Sequence, residues 1–557
     1  MLVRWFSGAQ RLTFLHTPDS EFYFSLGAFG SAVTDRAPDD YYYWTKLGVV
    51  LPLRAFASFL PPLVALEVVQ TLLAVIVASA AYAVARTSWS RPGACLAAAF
   101  ASLNTVVLCF IGDPYASGAA LAALSALLVT AMRWCAGDRP FRRRPAVLMG
   151  LLCAWLVMIN PYALIVGAAG CAGVLLGNAG VVRQAGRRGL AGSAVSMLAA
   201  FAGGFLAFLA LGRWAFPGLN WFTSLYAFVG SANLSAWAES DWRWAASDTT
   251  LLVPISVAVV ALIAVRLTPH ERSARTAAGL SVMTLVVTLA YKVVSQSNVL
   301  EVTVYNSMLW PAALLALILV AAATAEPRYG WMAGALAAAA PVAWVVAGHW
   351  SRELVPAFAL AATVGAVLAA AGLLRWARGG RVLVPRTPVL SAGLVLLAGL
   401  GCLFQVLQNG VPLYPTSTLS RVSYKWAFIP GYAAAYLDQD VHVQQWLLAH
   451  TDPHEQLLVW NEPLIRSAAS MQLWGSNSAG PGMGEPLGDE GMQTVRELGA
   501  DAVVTYAADP TAVERVRGEL EAAWEVADPV CRTFTSAAAV PSMDVCILRL
   551  GEARAQR

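Results

Sequence analysis

The run LVALEVVQTLLAVIVASAAYAVA, Leu63 to Ala85, holds one acid, Glu67, in an otherwise apolar stretch. At 1.5 Å of rise per residue, about 20 apolar residues span a hydrocarbon core of about 30 Å as a helix. Similar runs of about 14 to 23 residues fill most of the chain. Hydrophobic residues make up 58% of the 557 positions and charged residues only 13%. So many apolar runs have nowhere dry to go except a bilayer, which excludes a soluble domain and defines a polytopic α-helical membrane protein.

Outward from that run, the sequence predicts further spans at Gly93 to Ile111, Tyr115 to Met132, Ala146 to Ile159, Tyr162 to Gly177 and Leu190 to Gly212. Others are expected at Leu251 to Leu267, Ala277 to Val294, Asn306 to Thr324, Gly330 to Gly348, Leu354 to Leu374 and Val389 to Asn409. The total is about 11 to 13. The run from Ala146 to Gly177 is too long for one crossing and breaks at Asn160-Pro161, so it reads as a tight hairpin. Alternate loops carry the arginines: Arg86, Arg91, Arg133, Arg142 to Arg144, Arg187, Arg188, Arg272, Arg275 and Arg375 to Arg386 among them. The opposite loops and span ends hold only Arg213, Arg243, Lys292 and Arg352, and the positive-inside rule makes the first set cytoplasmic. The net charge of +4 is small and its basic residues are scattered, which excludes nucleic acid as a partner.

Before the first span, His16 to Trp44 contains Asp19, Glu21, Asp35, Asp39 and Asp40 with a cluster of aromatic residues. On the topology above, these acids lie outside. They read either as a solvated loop anchored at the interface by its rings or as carboxylates placed there for chemistry. Leu47 to Leu60 is apolar, short and carries Arg54, which suits a helix lying in the interface or a re-entrant segment better than a full crossing. Met1 to Leu15 lacks both a long apolar core and a small-residue cleavage site, so it reads as neither a signal peptide nor a span. Residues 1–62 thus form an extracytoplasmic acidic segment with interfacial helices, and 63–409 the membrane domain.

The outer loop Arg213 to Thr250 holds Trp221 and Trp242 among several aromatic residues and acids. Such rings stack on sugars, and interfacial belts have the same composition. From 410 to 557 the chain turns soluble in character. Helices are expected at Asp440 to His450, Glu490 to Leu498 and Thr511 to Ala523, and strands at Gln456 to Trp460, Asp501 to Tyr506 and Val545 to Leu550: a small α/β domain. Gly480-Pro-Gly482-Met-Gly484 neither follows a strand nor opens a helix, so it is no nucleotide fingerprint. Cys531 and Cys546 are the only cysteines in this outer region, where a disulfide between them would persist. No Cys or His spacing forms a zinc site.

An Asp-x-Glu pair in the first outer loop (Asp19-Ser20-Glu21), a second acid just after an outward span (Asp113-Pro114), many spans and an outer α/β domain resemble the GT-C superfamily. These are integral membrane glycosyltransferases that take sugars from polyprenyl phosphates. The family pattern also has a membrane helix ahead of its acidic loop, which is not found here. The resemblance implies an inverting transfer at the plasma membrane, on its outer face, with Asp19 as general base and Glu21 and Asp113 as its acidic neighbours. It further implies donor-phosphate contacts among Lys46, Arg54, Arg213 and Arg352. Asp39, Asp40, Trp221 and Trp242 are the acceptor-side candidates. The donor would be a polyprenyl-phosphate-linked sugar in contact with membrane lipid, and the acceptor a glycan, a lipid or a protein of the cell envelope. A divalent cation, Mg or Mn, is compatible with the acid pair, and no other cofactor is implied. The alanine-rich, arginine-over-lysine composition is that of a high-GC bacterium such as an actinomycete.

Two rival readings are a transporter or flippase of lipid-linked sugars and a non-catalytic envelope-assembly protein. Transporters place ionisable groups near the bilayer midplane, and here the spans are nearly free of acids. The topology is checked by cysteine-accessibility labelling in intact cells. Labels should reach the tail after Asn409 and fail to reach the loops at Arg142 to Arg144 and Arg375 to Arg386; the reverse pattern would refute the orientation.

Overall fold

The computed structural model describes residues 18–30, 45–103, 105–112, 116–136, 141–184, 186–232, 249–295, 306–323, 411–412, 423–424, 431–452, 454–460, 486–507, 510–535 and 542–554. The spans expected between Gly330 and Asn409 lie outside the described residues. The helices are α1 (Pro18–Phe29), α2 (Leu47–Ala57), α3 (Pro62–Ala85), α4 (Arg91–Leu103), α5 (Thr105–Gly112), α6 (Ala116–Cys135), α7 (Arg143–Ile159) and α8 (Pro161–Gly177). They continue as α9 (Gly186–Ala215), α10 (Trp221–Ala232), α11 (Thr249–Leu267), α12 (Arg272–Ser295) and α13 (Trp310–Ala323).

By length and composition, α3, α6, and residues Gly189–Ala215 and Arg272–Val294 of α9 and α12 are each able to cross a membrane. Their outward faces are apolar: Val75, Leu198, Leu206, Leu262 and Val286 are each more than half exposed. Such a sleeve is costly in water and matches hydrocarbon. Inside, hydroxyls bond back to their own helix, as in Ser125 to the Leu121 carbonyl (2.7 Å) and Thr284 to that of Leu280 (2.8 Å), which satisfies these donors without a partner from another helix. Gly173 of α8 and Gly279 of α12 bring two backbones into contact, the small-residue packing that replaces the hydrophobic effect between membrane helices.

The expected hairpin is present. Asn160 ends α7 and its side-chain oxygen accepts the Tyr162 amide (3.0 Å), capping α8 with Pro161 in the first turn, where a missing N–H costs nothing. The span expected as a single run over Gly93 to Ile111 is instead two helices, α4 and α5. Near their junction Ser102 donates to the Ala99 carbonyl (3.2 Å), a local bond of the kind that competes with helix continuation.

The arginine-bearing helix ends gather on one side. Arg272 at the start of α12 donates to the Cys135 carbonyl at the end of α6 (2.7 Å) and to Asn178 just beyond α8. Ser193 of α9 donates to the Phe141 carbonyl ahead of α7. At the opposite end, α2 lies across the bundle. Its first residues meet the last turns of α7 and α9, and Leu53 near its other end clusters with Leu63 and Leu66 at the start of α3.

The C-terminal region is α/β. Helices α14 (Gly431–His450), α15 (Gly488–Leu498) and α16 (Pro510–Glu521) surround β1 (Leu457–Trp460), β2 (Ala502–Ala507), β3 (Trp524–Val526), β4 (Val530–Phe534) and β5 (Met543–Ala553). Strand order is β1-β2-β5-β3, with β4 also paired to β5. The β1–β2 pair is parallel and the others antiparallel. Period-2 alternation sends Leu458, Val503 and Leu548 into one cluster with Val495 of α15 and Val516 of α16. Val459, Val504 and Ile547 belong to the cluster containing Val443 and Trp446 of α14. Strands β3 and β4 are absent from the sequence reading, because each is short and mostly solvent-facing, leaving no apolar alternation to see.

Cys531 and Cys546 face each other across β4 and β5 and are bonded. They lie 15 residues apart, and closing a loop of that size is worth about 3 kcal/mol in the chain-entropy picture. Replacing both with Ser should accelerate amide hydrogen exchange in Val530–Phe534; unchanged exchange there would mean the ladder alone holds β4.

Candidate functional site

At the end opposite the arginines, an apolar groove of about 240 Å³ opens beneath α2. Val49, Pro52 and Phe56 roof it, Leu73 and Ile76 of α3 form one wall, and Trp155 of α7 closes another. That volume equals the liquid share of about eight waters, which would find few polar partners there. Hydrocarbon suits it better.

The roof is held by close approach. A side chain at Gly48 would stand 2.7 Å from Ile159, and one at Gly212 2.6 Å from Leu47. Two indoles complete the attachment: Trp155 donates to the Gly48 carbonyl (2.9 Å) and Trp221 to the Thr45 carbonyl (3.2 Å). Trp221, an acceptor candidate from sequence, is 5% exposed and packed edge-on against Phe205 and Phe222. Its ring serves the roof rather than offering a face to a sugar.

Helix α1 rests on the roof. Gly27 gives way to Leu53, and Gly30, at φ +61°, ends the helix with its amide on the Leu26 carbonyl (3.0 Å). Arg54, a phosphate candidate, reaches back to the Ala28 carbonyl (3.4 Å), a cation at the negative end of a helix. Residues 23 to 28 are buried on every side, so α1 is enclosed rather than a solvated loop. It spans Pro18–Phe29, with positions 19 and 21 in its first turn. Tyr23, one turn after Asp19, lines the groove.

Of the remaining candidates, Lys46 is 1% exposed at the N-cap of α2. Arg213 is exposed in the last turn of α9, next to Gly212. The Gly212–Leu47 contact therefore brings these two cations to one corner of the roof. Asp39, Asp40, Asp113, Trp242 and Arg352 lie outside the described residues, as do the side chains of Asp19 and Glu21. Among the described residues, no group of three or more His, Cys, Asp or Glu converges as metal ligands would.

Sequence reasoning passed over Gln70. It is 4% exposed on α3, lines the groove, and donates its Nε2 to the carbonyl of Gly112 (2.6 Å), the residue before Asp113. The signal was available, since a polar side chain inside a span is a functional marker by default. Gln444 carried no such signal: Ser25 of α1 donates to its Oε1 (2.9 Å, buried), while Gln439, earlier on the same helix, donates to the Phe534 carbonyl (2.8 Å). Helix α14 thus ties the sheet to α1.

No protein-family model matches the sequence, and no curated protein matches it. Among solved structures, the chain is similar to ArnT from Cupriavidus metallidurans bound to undecaprenyl phosphate, at 17% identity over 98% of this chain and 96% of that one, with a TM-score of 0.45. The apo state of the same protein aligns at 16% identity over the same shares, with a TM-score of 0.45. The archaeal oligosaccharyltransferase AglB from Archaeoglobus fulgidus, in complex with an inhibitory peptide and a dolichol-phosphate, aligns at 12% identity over 90% of this chain and 67% of that one, with a TM-score of 0.42. No residue of the site is assigned from these alignments.

Removing the Gln444 side chain leaves the Ser25 hydroxyl buried without that acceptor, which costs about 1–3 kcal/mol. Gln444→Ala should therefore raise hydrogen exchange in the amides of α1. Exchange equal to wild type would show that α2 alone holds α1.

Proposed function

We propose that the chain is an inverting glycosyltransferase that moves a sugar from a polyprenyl phosphate to an envelope glycan, glycolipid or protein on the side away from the arginine loops. One observation carries this reading: the apolar groove is bordered by both acid-bearing segments, by Tyr23 one turn after Asp19 and by Gln70 bonded to Gly112 just before Asp113. The groove suits the prenyl chain, and in the sequence the acids directly precede or follow the segments that border it. The resemblance of Asp19-Ser20-Glu21 and Asp113 to the acid pattern of the GT-C superfamily supports the same reaction.

In that reaction the acceptor hydroxyl loses its proton to a carboxylate as its oxygen bonds the anomeric carbon, while the bond from that carbon to the phosphate oxygen breaks. The polyprenyl phosphate leaves with the electron pair from the opposite face. Helix geometry favours Asp19 as the base. Position 19 is four residues from Tyr23 and shares its face, whereas position 21, two residues away, does not. The first turn of α1 presents free N–H groups, which keep a carboxylate ionised. Lys46 and Arg213, at one corner of the roof, are the candidates to stabilise the leaving phosphate. Carboxylate oxygens would suit Mg or Mn, and Asp19 and Asp113 are the acids of the resemblance that would hold such a cation, which would add charge stabilisation at the phosphate.

Asp19→Asn preserves shape and removes basicity. Turnover from a polyprenyl-phosphate-sugar donor should fall by about 10²-fold or more while donor binding persists. Undiminished transfer by that variant would move the base to Asp113 or Asp40.

A further inference from the structure

The Gln70 amide has only one orientation consistent with its neighbour. A backbone carbonyl accepts and never donates, so the NH₂ group must face Gly112. Its Oε1 is then left buried, and it has no hydrogen-bond partner among the described residues. Apart from the Tyr23 hydroxyl and the Trp155 indole, which already donates to the Gly48 carbonyl, the groove around it is lined by apolar side chains, Leu66, Val69, Leu73, Ile111 and Ala119 among them. A buried acceptor in such a wall is costly unless a donor arrives.

Building on the glycosyl-transfer reading, we infer that Gln70 is a specificity-determining residue for the sugar: its Oε1 accepts a hydrogen bond from a hydroxyl of the lipid-linked sugar while its Nε2 holds the Gly112 carbonyl. The other parts of such a donor do not fit this atom. A prenyl chain brings no hydrogen-bond donor, and an anionic phosphodiester is itself an acceptor, so it would meet Oε1 lone pair to lone pair. Sugar hydroxyls supply the missing donor. The bond to Gly112 sets this recognition one residue along the chain from Asp113.

The test measures binding of bare undecaprenyl phosphate and of undecaprenyl phosphate linked to glucose, mannose or arabinose to the purified full-length chain in lipid nanodiscs. Wild type should bind at least one sugar-linked lipid more tightly than the bare phosphate. Gln70→Met, similar in size but without the acceptor, should weaken that sugar-linked lipid by about tenfold and leave the bare phosphate unchanged. Gln70→Glu, held protonated by burial in this apolar wall, keeps a donor for the Gly112 carbonyl and an acceptor oxygen and should keep the discrimination, which also covers the case in which Gln70→Met does not fold. Equal weakening of both lipids in Gln70→Met, no weakening of either, or loss of discrimination in Gln70→Glu would overturn the inference while the donor reading stands. Wild type binding none of the four lipids would overturn the donor reading itself.

Discussion

The docking of the short helix Leu47–Ala57 across the bundle end is the contact on which the candidate site depends. It is made possible by missing side chains: Gly48 lets the roof touch the end of α7, and Gly212 lets the end of α9 touch Leu47. Within hydrocarbon, apolar association gains little from water release, so close packing and satisfied backbone groups must hold elements together. The two indole bonds to the Thr45 and Gly48 carbonyls meet the second requirement. A larger residue at either glycine would lift the roof and open the groove.

Everything beyond the membrane helices is stacked on that roof in sequence. Helix α1 packs on α2, α14 packs on α1, and the sheet packs on α14. Val441 belongs to a cluster with Phe24, Leu53 and Leu66, so one side chain of the C-terminal region touches the acid-bearing layer directly. The far end of α14 is fixed to the sheet by Arg549, which donates to the His450 carbonyl (2.6 Å) and pairs with Glu455 (2.9 Å). The sheet, α14 and α1 are therefore joined by direct contacts at Phe534–Gln439 and Gln444–Ser25.

The roles of individual residues separated by how much each owes to distant partners. Arg54 and Trp221 look alike in sequence to residues that bind phosphate and sugar, and each instead completes a backbone contact: Arg54 on the Ala28 carbonyl and Trp221 on that of Thr45. A guanidinium or an indole has the same chemistry in either use, and only its neighbours decide which. Gln70 is the opposite case. One amide in an apolar run looks incidental until the chain returns 42 residues later and places Gly112 against it.

By itself the sequence determined the helical membrane class, the hairpin at Asn160-Pro161, the short apolar segment that starts at Leu47 and the α/β character of the C-terminal region. These follow from composition, periodicity and local cap chemistry, which act within a few residues. The tertiary structure decided where the groove lies, that α1 is enclosed, that α14 begins at Gly431 rather than at Asp440, and which amide oxygen is buried without a partner among the described residues. Each of these depends on backbones brought together from far apart in the chain, Ser25 with Gln444 and Leu47 with Gly212, and no local pattern encodes which distant glycine will leave room for which side chain.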